Sequence, residues 1–447
     1  MTFAQYVEQR ALSHQRLFEL QPFTSSLTAL VEGAGDWVTK AYRPALEKVN
    51  QLWPVRVVYA DATGGTRRRP GWASSETLHS WEVYLDKDER RGREIYDSLR
   101  PDVVFVATPS DKHVEVTLAW LGKTPLVFVE KPVAERVSEI DRLLHEWADY
   151  TATGNGTPLT SVFGVDHYQL YSVPLFHHRE EVDDHVSGVL TTAHFAMTES
   201  HPVEARRVTS LAAGMTVDMW PHLPALMALF GALTSIDEIE LVDAAIYDPP
   251  IACDVDPDTG EWKNVIPLSP RFTAETYSES SCAFSPAGQA MPIKVEATVG
   301  KGVDTPSKFF EVATNHGHAV RVDFGASEAN GAYPSGTVML LCTKGDSSCD
   351  HGHRPFDDPH GVYLSVSCVV NHDGSLAAWP IARDRYVDLV TDLCAGTTGA
   401  LANILTVQEA RDIVRAIERL RSLMPEQSEL RKYDLAGADV LRTTGDE

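Results

Sequence analysis

Four apolar runs, LTALVEG (27–33), VRVVYAD (55–61), DVVFVATP (102–109) and PLVFVEKP (125–132), recur through the first third of the chain. Each is nearly continuous in apolar side chains, where a sheet with one wet face would alternate, so each predicts a strand buried on both faces. Segments with helical spacing lie between them, including TKAYRPALEKVNQ (39–51, despite Pro44) and HVEVTLAWLGK (113–123). Strands that need cover on both sides, alternating with helical crossovers, predict a parallel sheet between two helix layers. That arrangement is expected over residues 25–160. Ahead of it, residues 1–24 read as an amphipathic helical extension with a link at Gln21-Pro22.

The pattern changes beyond residue 185. GVLTTAHFAMTES, FTAETYSESSCAF, PIKVEATVG, KFFEVAT, AVRVDF, GTVMLLC and GVYLSVSCVV are strand-like, several with period-two alternation, and Gly/Pro/Asp-rich connections separate them. This predicts a large, mostly antiparallel sheet with one covered face. A helix from Met215 to Phe230 and a last one over 407–423 supply the cover, the last being free to pack back on the first domain. The Pro- and Asp-containing stretch 248–270 reads as a surface loop. The expected architecture is therefore an α/β Rossmann-type domain (25–160) followed by an α+β domain for substrate binding and oligomerisation (161–447).

The formal net charge of -24 repels a phosphate backbone and an anionic membrane surface, so no nucleic-acid partner is expected. No apolar run reaches membrane-spanning length, and the first residues have no apolar secretory core, so no membrane partner is expected either. The six cysteines (253, 282, 342, 349, 368 and 394) form no CxxC pair, which fits a reducing, cytoplasmic location. The segment CDHGHRPFDDPHG carries Cys349, His351, His353, Asp357 and His360 at irregular spacing in a Pro/Gly loop, and no metal site is expected there.

The strand ends carry the chemistry. In VEGAGDWVTKAYRPAL, Gly33 and Gly35 stand between a strand and a helix, followed by Asp36 and Trp37. Missing side chains there let a pyrophosphate approach the helix N-terminus, although Val38 replaces the usual third glycine and a tight turn explains the pair as well. Asp61 closes the second strand, where a carboxylate accepts from a ribose hydroxyl and favours NAD. Arg67, Arg68 and Arg69 follow, either as a solvated basic loop or as partners for the 2'-phosphate of NADP. Thr108, Pro109, Glu130 and Lys131 end the third and fourth strands and point at the same crevice. Lys131 precedes Pro132, a bond open to the cis form.

Two further clusters lie downstream. SVFGVDHYQLYSVP sets Asp166, His167 and Tyr168 directly after an apolar run, and MTVDMWPHL places Asp218 four residues before His222, on one face if helical. A carboxylate beside an imidazole can draw a proton from an alcohol while hydride leaves its carbon.

Taken in order, the Gly-Asp turn, the Thr-Pro turn, EKP, DHY, MTES with VEAR, and the Asp-Met and His-Leu pairs resemble one family. The chain is similar to glucose-6-phosphate dehydrogenases and, more broadly, to the Gfo/Idh/MocA sugar oxidoreductases, densely up to residue 225 and thinly beyond. The resemblance implies that His222 is the general base paired with Asp166. It implies that His167 and Tyr168 hold a sugar phosphate, and that Lys131, Glu199 and Asp218 bind hydroxyls. Tyr171 stands where that family has a phosphate-binding lysine; Lys301 in VGKG answers to a second one. The expected activity is NAD(P)-dependent oxidation of a hydroxyl on a sugar phosphate or cyclitol phosphate, by a homodimer or higher homo-oligomer. Alternatives are a reductase of an unphosphorylated or nucleotide-linked ketosugar and a non-catalytic cofactor-binding scaffold.

Overall fold

The computed structural model describes residues 2–17, 26–35, 37–51, 53–61, 81–153, 160–166, 169–170, 175, 179–186, 188–199, 214–231, 235–247, 251–255, 262–266, 275–285, 289–303, 306–324, 337–342, 361–364, 368–370, 376–378, 386–395, 404–424 and 431–433. Helix α1 (Phe3–Leu17) precedes six parallel strands: β1 (Leu27–Glu32), β2 (Val55–Asp61), β3 (Glu82–Asp86), β4 (Val103–Val106), β5 (Leu126–Glu130) and β6 (Ser161–Val165). Their spatial order is β6-β5-β4-β1-β2-β3, so the order reverses between β1 and β4, the switch point at which such sheets bind ligands. The first domain therefore runs past the expected boundary at 160, because β6 pairs in parallel with β5 as the sixth strand.

Helices α2 (Arg43–Asn50), α3 (Arg90–Ser98), α4 (His113–Trp120) and α5 (Val137–Thr153) form the crossovers. On one face, Ala45, Leu46 and Val49 of α2 bury Val31, Tyr59, Phe105 and Phe128; on the other, Val114, Ile140 and Leu143 bury Val58, Val104 and Val127. Successive strand residues thus alternate between two dry layers, the physical reason the runs are apolar throughout. Pro44 is accommodated because a π-helical turn, Val38–Tyr42, widens the helix just before it.

The second domain contains helix α6 (Arg179–His185), α7 (Met215–Asp218) and α8 (His222–Ala228). Its strands are β7 (Leu190–Glu199), β8 (Ser235–Tyr247), β9 (Ile251–Val255), β10 (Trp262–Ile266), β11 (Tyr277–Ser285), β12 (Ile293–Lys301), β13 (Lys308–Thr314), β14 (His318–Asp323), β15 (Thr337–Cys342) and β16 (Gly361–Leu364). After them come β17 (Cys368–Val370), β18 (Leu376–Ala378), helix α9 (Val387–Ala395), β19 (Leu405–Thr406), helix α10 (Val407–Ser422) and β20 (Arg431–Tyr433). The sheet order is β16-β15-β14-β13-β7-β12-β11-β8-β20, antiparallel except where β7 meets β12 and β8 meets β20. Phe195, Phe284, Val295, Phe310 and Val320 point inward against Trp220, Leu223 and Leu226.

Three local expectations are corrected. The stretch 248–270 contains the antiparallel hairpin β9–β10, whose strands pair Val255 with Trp262 and Ile251 with Ile266. The helix foreseen from Met215 to Phe230 breaks after Asp218, since Pro221 has no N–H to give the carbonyl four residues earlier. GVYLSVSCVV divides into β16 in the large sheet and β17 in a two-stranded ribbon with β18.

The last helix serves both cores. Val407, Ala410 and Val414 of α10 pack on the first sheet, while Ile413, Ile417 and Leu420 pack under the second. A capping box at Thr406 and Glu409 fixes where it starts, and β19 adds an antiparallel edge to β6. Helix α1 is tied down as well: Phe3 stacks on Phe230 with ring centroids 4.9 Å apart, and Arg10 pairs with Glu409. No helix among the described residues is long and apolar enough to cross a membrane.

Candidate active site

At the switch point the backbone turns tightly. Gly33 has φ of 100°, and a Cβ there would lie 2.7 Å from the carbonyl oxygen of Ala107, so the turn after β1 closes onto the end of β4 only with glycine. Gly35 differs: a Cβ would meet nothing within 4 Å, and packing gives no reason for a glycine. Across the crevice, Thr108 Oγ1 is buried and has no hydrogen-bond partner among the described residues. Open space over Gly35 and an orphaned hydroxyl at Thr108 fit a nucleotide lying between β1 and β4.

The other residues expected at the cofactor take distinct places. Pro109 follows Thr108 at the start of the turn into α4. Asp61 ends β2, in register with Asp86 at the end of β3. Lys87 is engaged by Glu32, 2.8 Å away, and the same buried carboxylate accepts from Trp120 at 2.7 Å and from the Tyr96 phenol. Asp36 and Arg67, Arg68 and Arg69 lie outside the described residues, as do His167, Tyr168, Tyr171 and the 349–360 cluster.

Glu130 is turned inward rather than toward the crevice. Its Oε1 accepts from Tyr42 at 2.7 Å and from Tyr386, and Trp37 donates its indole N–H to Tyr386 Oη at 3.2 Å. Burial raises the Glu130 carboxyl above its ordinary value, with the tyrosine donors pulling it back. Two residues expected to touch cofactor, Glu130 and Trp37, thus join a buried hub that links the helical turn after β1, the end of β5 and the entry to α9. Tyr386 carries no local sequence signal for this role.

Lys131 follows, with a cis bond to Pro132. The loop is held by His113, whose Nδ1 lies 2.7 Å from the Pro132 carbonyl and whose Nε2 lies 2.8 Å from the Thr108 carbonyl. Burial lowers the His113 pKa and the two carbonyls oppose that, while the ring bridges the Thr-Pro and Glu-Lys-Pro turns. Ser110 adds a second tie to Glu135 at 2.5 Å. The histidine was visible in VATPSDKH, but nothing in that spacing foretells a bridge.

Lys131, Asp166 and His222 converge. Asp166 comes directly after β6, and His222 opens α8. His222 Nδ1 lies 2.7 Å from Asp166 Oδ2, with both side chains almost fully buried. An Nδ1–H given to the carboxylate leaves the ring's lone pair on Nε2. Burial lowers the His222 pKa below 6.5, Asp166 opposes that, and Lys131 adds to it. A neutral imidazole with a fixed tautomer is a general base. Lys131 Nζ donates to the Asp218 backbone carbonyl and lies 3.1 Å from Asp218 Oδ1. Asp218 and His222 do not share one helix, contrary to the expectation from their spacing; they sit on either side of the break at Met219–Pro221.

A charged row continues from Asp218. Lys301 Nζ is 3.8 Å from Asp218 Oδ2 and 3.5 Å from Glu199 Oε2, and Lys308 Nζ is 2.5 Å from Glu199 Oε1. Glu199 and Lys301 are register partners at the ends of β7 and β12, and Lys308 begins β13 beside them. Burial would raise Glu199, but the two lysines outweigh it and hold the carboxyl at about 2. Lys308 is the one member of this row that the sequence did not single out.

Residues 30–153 match the sequence model of the Gfo/Idh/MocA oxidoreductase family, described as having an NAD-binding Rossmann fold. The match runs from within β1 to the end of α5 in the first domain. This is the broader of the two resemblances that the motifs carry. Solved structures agree in fold across both domains. An oxidoreductase domain protein from Kribbella flavida has a TM-score of 0.59 at 15% identity, covering 90% of this chain and 97% of its own. The aldose-aldose oxidoreductase from Caulobacter crescentus, complexed with glycerol, has a TM-score of 0.54 at 13% identity, covering 89% of this chain and 97% of its own. The transcriptional regulator Gal80p from Kluyveromyces lactis has a TM-score of 0.57 at 10% identity, covering 95% and 98%. At such identities the likeness is one of fold. None of the curated proteins compared with the chain matches it.

Proposed function

We propose that the protein is an NAD(P)-dependent oxidoreductase acting on a secondary hydroxyl of a sugar- or cyclitol-like polyol. The reading rests on one observation above the rest, the buried Asp166–His222 pair at 2.7 Å, one strand end away from Lys131. Gly33, Gly35 and Thr108 would hold the dinucleotide at the switch point, and Asp61, ending β2, favours NAD over NADP. When bound, the nicotinamide supplies the hydride acceptor. His222 Nε2 takes the hydroxyl proton, and Asp166 stabilises the imidazolium that forms. Lys131 donates to the substrate oxygen and is oriented for this by Asp218. Glu199 and Asp218 offer acceptors to neighbouring hydroxyls. The same groups serve ketone reduction in reverse, with His222 returning the proton.

A fold shared with a transcriptional regulator keeps a non-catalytic role in view, but a scaffold has no use for a buried base with a fixed tautomer. Purified protein incubated with NAD or NADP and a panel of polyols and their phosphates tests the reading. Reduced-cofactor absorbance should rise with at least one member; silence across the panel in both directions sinks it.

A further inference from the structure

Glu199 does more than its position as a hydroxyl acceptor requires. It stands between two ammonium groups, Lys308 at 2.5 Å and Lys301 at 3.5 Å, and all three side chains are at most one-fifth exposed. Lys301 turns its remaining contact to Asp218, which also holds Lys131. Three ammonium groups therefore face two carboxylates in one continuous row, and Asp166 beside neutral His222 supplies the third negative charge. No positive surplus is left among these residues. A phosphomonoester brings close to two negative charges at neutral pH and needs cations that are not already engaged.

We propose that Glu199 is a specificity-determining residue, the resident counter-ion of Lys301 and Lys308, which excludes a substrate phosphate and selects an uncharged polyol. The inference rests on the active-site reading above and names its substrate class. Within the expected panel it favours the unphosphorylated sugars and cyclitols. Glu199 acts by charge: it stays ionised throughout the neutral range, held at about 2 by the two lysines against its own burial. An incoming phosphate would meet that fixed negative charge at the amines it needs, in a site where water screens little.

The test is isothermal titration of inorganic phosphate into the full-length wild type and into Glu199→Gln, with turnover measured in parallel. The turnover substrates are a cyclitol and its phosphate monoester. The wild type should show no phosphate binding at millimolar concentration and should prefer the neutral substrate. The glutamine variant should bind phosphate roughly tenfold or more tightly and shift its kcat/KM ratio toward the monoester. Glu199→Asp, which keeps the charge, should restore exclusion. If the glutamine variant fails to fold, Glu199→Ser removes the same charge with less bulk. Submillimolar phosphate binding by the wild type, or equal phosphate affinity in wild type and charge-removed variant, overturns the proposal. Calorimetry needs no turnover, so a chain that excludes phosphate yet oxidises nothing would defeat the oxidoreductase reading and not this one.

Discussion

Tyr386 stacks on Tyr42 with ring centroids 4.1 Å apart, and both phenols donate to the same oxygen of Glu130. A segment near the C-terminus thereby fixes the residue next to Lys131. Tyr386→Phe keeps the stack and removes one donor from a buried carboxyl. The expected cost is about 1–3 kcal/mol, read by urea denaturation. Because Lys131 is the next residue, kcat/KM should fall with it. A variant with wild-type stability would show that the phenol contributes nothing to holding Glu130.

Asp166 sets the proton position on His222. Asp166→Asn can donate its amide N–H to Nδ1, which would move the ring proton to Nε2 and remove the lone pair that acts as base. Turnover should drop by about 10²–10⁴ in this variant and in His222→Asn, while nucleotide affinity stays within about threefold. Initial rates and fluorescence titration with reduced cofactor separate the two effects. The pH profile follows from the lowered His222 pKa: the acid-side decline of oxidation should be centred below pH 6.5. A decline centred above 6.5 would mean that the titrating base is another group.

The two glycines of the first turn should part company. Gly33→Ala places a Cβ against a backbone oxygen at positive φ, and is expected to cost about 2 kcal/mol or more. Gly35→Val meets open space and should leave thermal stability unchanged within about 0.5 kcal/mol. It should nevertheless weaken binding of reduced cofactor about tenfold or more, by filling the room a pyrophosphate needs. Unaltered affinity in Gly35→Val would take the nucleotide out of this turn.

What could be read in the sequence divides along physical lines. The parallel sheet was legible because burial on both faces leaves unbroken apolar runs, and Asp166, His222 and Lys131 because each adjoins a strand end or a proline. The charged row was half visible: Glu199 and Lys301 meet only through the register of β7 with β12, and Lys308 enters only because β13 starts beside them. Nothing local marks Tyr386 or His113, whose partners are a carboxylate and backbone carbonyls far away in the chain. The β9–β10 hairpin was missed because Pro and Asp at its ends outweighed two short strands.

Glu199 should make stability sensitive to acid. Its pKa falls from 4.5 in the unfolded chain to about 2 in the fold, since the lysine pairing exceeds the burial penalty. The unfolded state binds the proton first, so this contribution is complete above about pH 4.5 and is lost as pH falls toward 2. Glu199→Gln should be less stable than wild type at pH 7, with the gap closing below pH 4.5. Denaturation midpoints between pH 7 and 3 decide it; a constant gap would mean that the carboxyl titrates normally.

Arg10 and Glu409 bind the N-terminal helix to the start of α10. Arg10 is buried, pairs with both oxygens of Glu409, and donates to the Ile404 carbonyl at 2.7 Å. Glu409 also completes the capping box, accepting from the Thr406 N–H at 2.8 Å. Burial pushes the Glu409 carboxyl up, but Arg10 more than reverses this and leaves it below its ordinary value. Arg10→Met strands a buried carboxylate and should cost about 3–5 kcal/mol. In Arg10→Met/Glu409→Gln no charge is left unpaired and the cap can still form, so the double variant should recover part of that loss. A double-mutant cycle by chemical denaturation measures the coupling. Strict additivity would mean that α1 rests on its apolar contacts alone, through Phe3 and Val7, and that the ion pair merely decorates them.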